Sequence, residues 1–123
     1  MIQGIGLDLC EIGRIARAIE KEHFLKRVYT PREQVRITAA AGARRGEIAA
    51  GIFAAKEAVA KALGTGFDGF FADAIEILPD AKGRPACRLY GRALELADGG
   101  RVWVSVTHEF GLAVATAILE GEP

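Results

Sequence analysis

The sequence predicts an α+β protein in which helices pack on one face of a largely antiparallel sheet. Two patterns support this fold class. Residues 47 to 63 are rich in strong helix formers, whereas residues 102 to 107 alternate valine with polar or aromatic residues, as a strand does. The segments follow one another as strand, helices, strands, helix and strands, an order typical of α+β domains. With 123 residues, half of them hydrophobic, the chain is expected to form one domain over 1–123.

Charge and cysteine content narrow the class of protein. Sixteen Lys plus Arg balance sixteen Asp plus Glu, so neither a nucleic acid nor a membrane surface is an expected partner. Cys10 and Cys87 are too few for a disulfide framework or a thiolate metal site, which favours a reducing, cytoplasmic location. No segment resembles a signal peptide or approaches the roughly 18 apolar residues of a membrane span.

The chain opens with a predicted strand. Ile2, Ile5 and Leu7 lie in an apolar run interrupted by glycine, which indicates a short buried strand. Asp8 is expected where this strand ends, so its carboxylate should lie at an edge of the sheet.

An amphipathic helix is predicted from Glu11 to about Val28. Its apolar residues at helical spacing are Ile12, Ile15 and Ile19. A basic stripe recurs on a different face, at Arg14, Arg17 and Lys21. This stripe is either a binding surface or an ordinary solvated face.

Two further helices are predicted in the middle of the chain. Thr30 and Glu33 have the spacing of a capping box, and Pro31 suits the first helical position, so a helix should run from there to about Ala41. Residues 42 to 46 are expected to break it. The next helix should cover residues 47 to 63, and Gly64 can cap its end.

The C-terminal half is predicted to hold four strands and a short helix. After a loop over residues 64 to 73, strands are expected at 74–78 and 85–90, joined by a turn at 80–83. A helix of two turns follows at 91–98. The strand that includes residues 102 to 107 should then pair with residues 112 to 119.

Glu57 and Lys61 are four residues apart, so their side chains lie on one face of the long helix and can reach a shared ligand. The plain alternative is a surface ion pair worth about 0.2 to 0.5 kcal/mol. Directly after Lys61, the turn Gly64-Thr65-Gly66 could bind a phosphate through its backbone amides, or simply cap the helix.

Two carboxylates could hold Mg²⁺ together with phosphate and water oxygens, and Asp8 and Glu57 are the candidate pair. An N-cap role for Asp8 in the helix that follows is the competing interpretation. His108 follows a predicted strand, where it could contact a phosphate or relay a proton, or only be solvated.

Three segments together resemble the motifs of the holo-acyl-carrier-protein synthase family. They are GIGLDLCEIGRI at 4–15, FAAKEAVAKALGTG at 53–66 and VSVTHE at 104–109. The resemblance covers essentially the whole chain, and the second segment is its most specific part. It implies the 4'-phosphopantetheinyl transferase fold and the Mg²⁺-dependent transfer of phosphopantetheine from coenzyme A to a serine of an acyl carrier protein in fatty acid biosynthesis.

The resemblance also implies roles for individual residues. Asp8 and Glu57 match the Mg²⁺ ligands, and Lys61 matches the lysine beside the coenzyme A phosphates. Gly64, Thr65 and Gly66 match the phosphate-binding turn, and His108 matches the histidine of the third motif. On this basis the catalytic residues are expected to be Glu57, Lys61 and His108, with Glu57 as the first choice for the base.

The same resemblance implies a homotrimer with the coenzyme A site between adjacent subunits. It assigns the first helix to docking the acidic carrier protein, which makes Arg14, Arg17 and Lys21 the candidate contacts. One residue departs from the family pattern, because Ile52 stands where an arginine often contacts the nucleotide end of coenzyme A. Arg44, Arg45 and Arg84 are the candidate replacements.

Two other functions use the same residues. A non-catalytic module would bind a carrier protein or a nucleotide without turnover, and it leaves the two carboxylates unexplained. A Mg²⁺-dependent pyrophosphate hydrolase would release phosphopantetheine without any carrier protein.

Overall fold

The computed structural model describes residues 1–67 and 69–123. Its five strands form two antiparallel sheets. Strands β1 (Ile2–Glu11), β4 (Arg101–Glu109) and β5 (Leu112–Glu120) form one sheet with β5 in the centre, and β2 (Ile75–Pro79) pairs with β3 (Pro85–Leu89) in the other. The predicted position of the last two strands, and their pairing, is confirmed.

The helices cover one face of the larger sheet, as predicted. They are α1 (Ile12–Ala18), α2 (Glu22–Val28), α3 (Pro31–Ala39), α4 (Ala43–Ala62) and α5 (Gly91–Ala97), with a 3₁₀ turn at Ala72–Ala74 before β2. Helix α4 lies across β1 and β5 and supplies more of the hydrophobic core than any other described element. Its inward face is built largely from alanine, which lets the helix approach the sheet closely.

Local signals placed several boundaries correctly. Thr30 caps α3 by accepting a hydrogen bond from the Glu33 amide, and the Glu33 side chain accepts one from the Thr30 amide, so the predicted capping box is present. The turn between β2 and β3 is held by Asp80, whose carboxylate accepts from the amides of Lys82 and Arg84. The loop predicted over 64–73 ends in the 3₁₀ turn, and its position 68 lies outside the described residues.

The prediction for β1 was wrong in two respects. The strand does not end at Asp8, because its pairing with β5 continues to Glu11. It is also not buried on both faces, since Ile5, Leu7 and Leu9 point away from α4 and are mostly exposed. The N-cap interpretation of Asp8 fails as well, because Glu11 occupies that position before α1 and makes no side-chain cap bond.

Two helix boundaries also differ from the prediction. The helix expected from Glu11 to Val28 is two short helices, with Ile19 ending the first and Lys21 preceding the second. Conversely, residues 42–46 do not form a break, because α4 already begins at Ala43. Gly46 lies inside α4, where a Cβ atom would come within 2.9 Å of the Ala16 side chain. Close packing of α1 on α4 therefore requires glycine there.

Candidate active site

Two glycines bring strand β1 into direct backbone contact with helix α4. A Cβ atom on Gly4 would lie 1.9 Å from the Ala62 carbonyl oxygen, and one on Gly6 would lie 1.8 Å from that of Ala58. No larger residue fits at either position. Because side chains alternate along a strand, Asp8 points to the same face as these glycines, toward α4.

Asp8 and Glu57 form an acidic pair at this contact. Asp8 lies on β1 with its side chain 18% exposed, and Glu57 lies on α4, where it is half-buried. Burial raises the pKa of the Glu57 carboxyl, and the negative charge of Asp8 raises it further, whereas the charges of Lys61 and Arg14 lower it. The Asp8 carboxylate therefore destabilises the charged form of Glu57.

Lys61 contacts Asp8 rather than Glu57. Its Nζ lies 3.3 Å from Asp8 Oδ1 and donates to the Leu7 carbonyl oxygen at 2.9 Å. Although Glu57 and Lys61 share a helix face as predicted, the ion pair within the described residues joins helix to strand. Lys61 remains half-exposed, so its ammonium is accessible from solvent.

The acidic pair fits a divalent cation that also binds ligand oxygens. In residues 1–67 and 69–123, no group of three or more His, Cys, Asp or Glu could hold a metal. Two carboxylates are nevertheless a suitable donor set for Mg²⁺, which commonly takes one or two carboxylates and fills its other positions with phosphate and water oxygens. A bound cation would also relieve the repulsion that contributes to the raised pKa of Glu57.

The Gly64-Thr65-Gly66 turn ends α4. The Gly64 amide donates to the Lys61 carbonyl oxygen, and the Gly66 amide donates to that of Ala60. Gly64 and Gly66 both have positive φ, which suits glycine. In this conformation the two amides cap the helix, which is one of the two roles that the sequence left open. Phosphate binding by this turn stays a prediction.

His108 lies apart from the acidic pair. Asp8 and His108 are on strands separated by β5, and neighbouring strands are about 4.8 Å apart, so the two backbones are roughly 10 Å apart or more. His108 is exposed and lines a cleft of about 160 Å³ between α4, the start of β3 and the end of β4. The structure thus brings together Asp8, Glu57 and Lys61, but places His108 in a second region.

Two arginines line this cleft beside Ile52, the residue that departs from the family pattern. Arg44 is one of the three predicted replacements, and Arg36 is a residue that the sequence did not single out. Burial lowers the pKa of Arg36, and the nearby charge of Arg44 lowers it further, so the two guanidinium groups are close to each other. A cleft with two such groups is suited to an anion.

The other two predicted replacements for the missing arginine are engaged elsewhere. Arg45 donates to the carbonyl oxygens of Thr38 and Ala40 at the end of α3. Arg84 donates to the Asp80 carboxylate in the turn between β2 and β3. Of the three, Arg44 is therefore the one that the structure places with Ile52 and His108.

The predicted basic stripe is divided between two helices. Arg14 and Arg17 lie on α1, and Lys21 lies in the link before α2. Arg14 is close to the acidic pair, because its charge lowers the pKa of Glu57 and its guanidinium carbon lies 5.8 Å from the centre of the Phe53 ring. Its position beside the acidic pair was not foreseen from the sequence.

A buried ion pair next to Glu57 was also missed. Lys56 and Glu33 are almost completely buried, and Lys56 Nζ lies 2.6 Å from Glu33 Oε1. Burial raises the pKa of the Glu33 carboxyl and lowers that of the Lys56 ammonium, and each partner's charge opposes the shift of the other. The capping box pointed to Glu33, but no local pattern connects it with Lys56, 23 positions later in the chain.

Known proteins share both the sequence and the fold of this chain. Residues 4–115 match the model of the 4'-phosphopantetheinyl transferase superfamily. Holo-[acyl-carrier-protein] synthases from Solidesulfovibrio magneticus and Alkaliphilus metalliredigens are each 45% identical to it. The first alignment covers 98% of this chain and 100% of the relative, and the second covers 96% and 98%.

Solved structures agree with the sequence relatives. The holo-(acyl-carrier-protein) synthase of Bacillus anthracis, in complex with CoA (3',5'-ADP), superposes with a TM-score of 0.85 at 34% identity, covering 99% of each chain. That of Helicobacter pylori, in complex with coenzyme A, gives a TM-score of 0.82 at 28% identity, covering 94% of this chain and 99% of that one. The fold and the near-complete family match together show that this chain belongs to the 4'-phosphopantetheinyl transferase superfamily.

Proposed function

We propose that this protein is a Mg²⁺-dependent holo-acyl-carrier-protein synthase that transfers 4'-phosphopantetheine from coenzyme A to a serine of an apo acyl carrier protein. The observation that carries the proposal is the cluster of Asp8, Glu57 and Lys61, which lies at the contact of β1 and α4 in a chain similar to such synthases over nearly its full length. The residue types in the cluster suit phosphoryl transfer, which depends mainly on positioning and on neutralising charge.

Asp8 and Glu57 would hold the Mg²⁺. When bound, the ion would neutralise charge on the pyrophosphate oxygens of coenzyme A. Lys61 would add a second positive charge from the exposed side of the cluster, because its ammonium already lies beside Asp8. The turn Gly64-Thr65-Gly66 directly follows the helix that carries Lys61, so it would lie by the same phosphates.

The reaction then balances as a direct displacement. The serine oxygen of the carrier protein forms a bond to the phosphorus on the pantetheine side, and the bond from that phosphorus to the bridging oxygen breaks. Adenosine 3',5'-bisphosphate leaves. Glu57, directly or through a water, would accept the serine proton, because it is the half-buried carboxylate that α4 fixes beside the site.

His108 and Arg44 would bind the nucleotide end of coenzyme A. Both line the same cleft, and Arg36 brings a second guanidinium to it. We propose that Arg44 takes the place of the arginine often found where this chain has Ile52. We assign His108 to binding the nucleotide and not to a proton relay, because β5 separates it from the strand of Asp8.

The acidic carrier protein would dock on the basic residues around α1. Arg14, Arg17 and Lys21 are exposed, and Arg14 is the one closest to the acidic pair. Favourable charge on this surface would mainly increase the rate of encounter and orient the carrier.

We also propose a homotrimer. The sheet face opposite α4 is apolar and open, with Ile5, Leu7 and Leu9 more than half exposed, and with Trp103 on the same face of β4. A contiguous apolar face of this kind indicates an interface. A second copy of the chain is a suitable occupant, and a site between subunits would then complete the coenzyme A cleft.

Three further expectations remain proposals. Residues 1–123 are expected to act as one domain, fatty acid synthesis is the expected pathway, and the cytoplasm is the expected location. None of the described helices is long and apolar enough to span a membrane.

Mass spectrometry of an apo acyl carrier protein, incubated with this protein, coenzyme A and Mg²⁺, tests the proposed reaction. We expect a gain of about 340 Da, one phosphopantetheinyl group from such a transfer, and no gain with EDTA. Coenzyme A binding without any gain on several acceptors would favour the binding module. Release of phosphopantetheine without a carrier would favour the hydrolase.

Replacing Glu57 with Gln tests its assignment within the same assay. Loss of a metal ligand and of the proton acceptor should lower turnover and weaken the dependence on Mg²⁺ together. The control is Glu95→Gln, a glutamate on α5 that lies outside both the acidic pair and the cleft of His108. Normal turnover with a normal Mg²⁺ dependence in Glu57→Gln would remove Glu57 from the mechanism.

A further inference from the structure

Phe71 and Arg27 form an exposed pair between helix α2 and the loop before β2. The Arg27 guanidinium carbon lies 5.3 Å from the centre of the Phe71 ring, and Phe71 is 64% exposed. The two other phenylalanines of this loop, Phe67 and Phe70, pack edge to face at 5.7 Å and are half-buried. The loop thus buries two rings against each other and presents the third to solvent beside a cation.

One buried side chain fixes the position of this pair. Lys56 Nζ donates to the Val28 carbonyl oxygen at 2.7 Å and to the Ala72 carbonyl oxygen at 3.0 Å. Val28 directly follows Arg27, and Ala72 directly follows Phe71. The same ammonium is therefore bonded to both chain segments, and Glu33 holds it in place.

This arrangement links an exposed surface to the acidic site. Lys56 immediately precedes Glu57 in α4, so the backbone positions of residues 28 and 72 are set relative to the helix that carries Glu57. Arg27 and Phe71 therefore lie on chain segments whose positions are fixed by hydrogen bonds to α4. A fixed pair loses little conformational entropy when a partner binds to it.

The chemistry of the surroundings indicates an acidic partner. Residues 12–28, which include α1 and α2, contain five Lys or Arg and two Glu. A partner helix that presents carboxylates next to an apolar side chain would match the guanidinium and the phenyl ring together. Phenylalanine and arginine are also both enriched at protein–protein interfaces relative to the rest of the surface.

We propose that Phe71, supported by Arg27, is an apolar contact of the carrier-protein docking surface. This inference rests on the proposed function, and it extends the docking surface from Arg14, Arg17 and Lys21 to the loop that follows the Gly64-Thr65-Gly66 turn. Phe71 would bind an apolar side chain of the carrier protein, and Arg27 would pair with a neighbouring carboxylate.

Steady-state kinetics of Phe71→Ser test the proposal. We expect about a tenfold rise in the KM for apo carrier protein, the size of effect typical of an exposed aromatic anchor, with an unchanged kcat and an unchanged KM for coenzyme A. Phe71→Leu should restore most of the affinity, and Arg27→Gln should give a smaller rise. Val35→Ser is the matched control, because Val35 is 68% exposed on α3 and outside the proposed surface.

Calorimetric titration of apo carrier protein into each variant separates this inference from the proposed reaction. Weaker binding by Phe71→Ser than by the wild type and Val35→Ser would support the docking role even if no transfer occurs. Equal affinity in all three, with intact folding by circular dichroism, would overturn it. A rise confined to the KM for coenzyme A would also overturn it, since Phe71 would then contact the nucleotide.

Discussion

Replacing Gly6 with Ala is the sharpest test of how this fold builds its site. The added Cβ atom would lie 1.8 Å from the Ala58 carbonyl oxygen, whereas real Cβ atoms essentially never come closer than 3.0 Å to another atom. Strand β1 or helix α4 would therefore have to move by about 1.2 Å or more. No rotamer change can relieve this contact, because both the added atom and its neighbour belong to the backbone frame.

The expected cost follows from overpacking. Extra methylenes in a tightly packed core typically cost about 1 to 3 kcal/mol, and a clash with a backbone carbonyl belongs at the upper end of that range or beyond. A loss of about 3 kcal/mol would lower the melting temperature by roughly 10 °C in a domain of this size. The shift would also separate Asp8 from Glu57, so the variant should lose activity even at temperatures where it stays folded.

Urea denaturation and thermal melting of Gly6→Ala measure the stability, and the carrier-protein assay measures the activity. Gly13→Ala is the control, because a Cβ atom there would meet only the end of the Arg17 side chain at 3.4 Å. That substitution lies within a helix, so it should be neutral or stabilise the protein by about 0.4 to 1 kcal/mol. If Gly6→Ala melts with the wild type and transfers phosphopantetheine normally, the argument for direct backbone contact is wrong.

Three further predictions concern the buried pair, a thiol and the cleft. Lys56→Met should destabilise the protein by about 3 to 5 kcal/mol, since it leaves Glu33 buried without its partner, and a Glu33→Gln change in the same chain should recover part of the loss in urea melts. Burial raises the pKa of the Cys87 thiol to about 12, so its alkylation by iodoacetamide should stay slow up to pH 9 in the native protein and become fast in urea. Equal rates in both states would contradict this. Arg44→Ala should raise the KM for coenzyme A about tenfold but leave the KM for dephospho-coenzyme A nearly unchanged, because one charge-assisted contact to a phosphate would be lost.

Where the boundary of a helix or turn depends on local chemistry, the sequence was sufficient to predict it. Thr30, Pro31 and Glu33 set the start of α3 through contacts within four residues, and Asp80 shapes its turn in the same way. Such signals are complete within a short window, so periodicity and capping rules can detect them. The long alanine-rich helix and the final pair of strands were predicted for the same reason.

The errors arose where partners far away in the chain set the structure. Strand β1 continues past Asp8 to Glu11 because β5 offers it a partner up to Leu112, and no property of the first eleven residues shows this. The break between α1 and α2, at Ile19 to Lys21, contains no glycine or proline that would have predicted it. The N-cap residues of α1 and α2, Glu11 and Lys21, make no side-chain cap bond. Packing on α4 and on the loop before β2 decides these boundaries instead.

The sequence predicted which residues belong to the candidate site better than it predicted which of them lie together. Spacing on a helix joined Glu57 with Lys61, and the preference of Mg²⁺ for carboxylates added Asp8. The contact of Lys61 with Asp8, however, depends on how closely β1 approaches α4. The separation of His108 from this group depends on β5 lying between their strands. Both are properties of sheet order, which one sequence does not specify.

Gly4 and Gly6 explain why the first motif, at 4–15, needs glycines as well as its aspartate. An aspartate on β1 can reach a carboxylate on α4 only if the strand lies directly on the helix, and that approach requires hydrogen in place of a side chain at Gly4 and Gly6. Lys56 has the corresponding role on the other side of α4, because it ties the helix to residues 28 and 72. The acidic pair is therefore held from both sides by residues outside the proposed catalytic group. Substitutions at these supporting positions should impair the reaction by displacing Asp8 or Glu57, with both carboxylates still present.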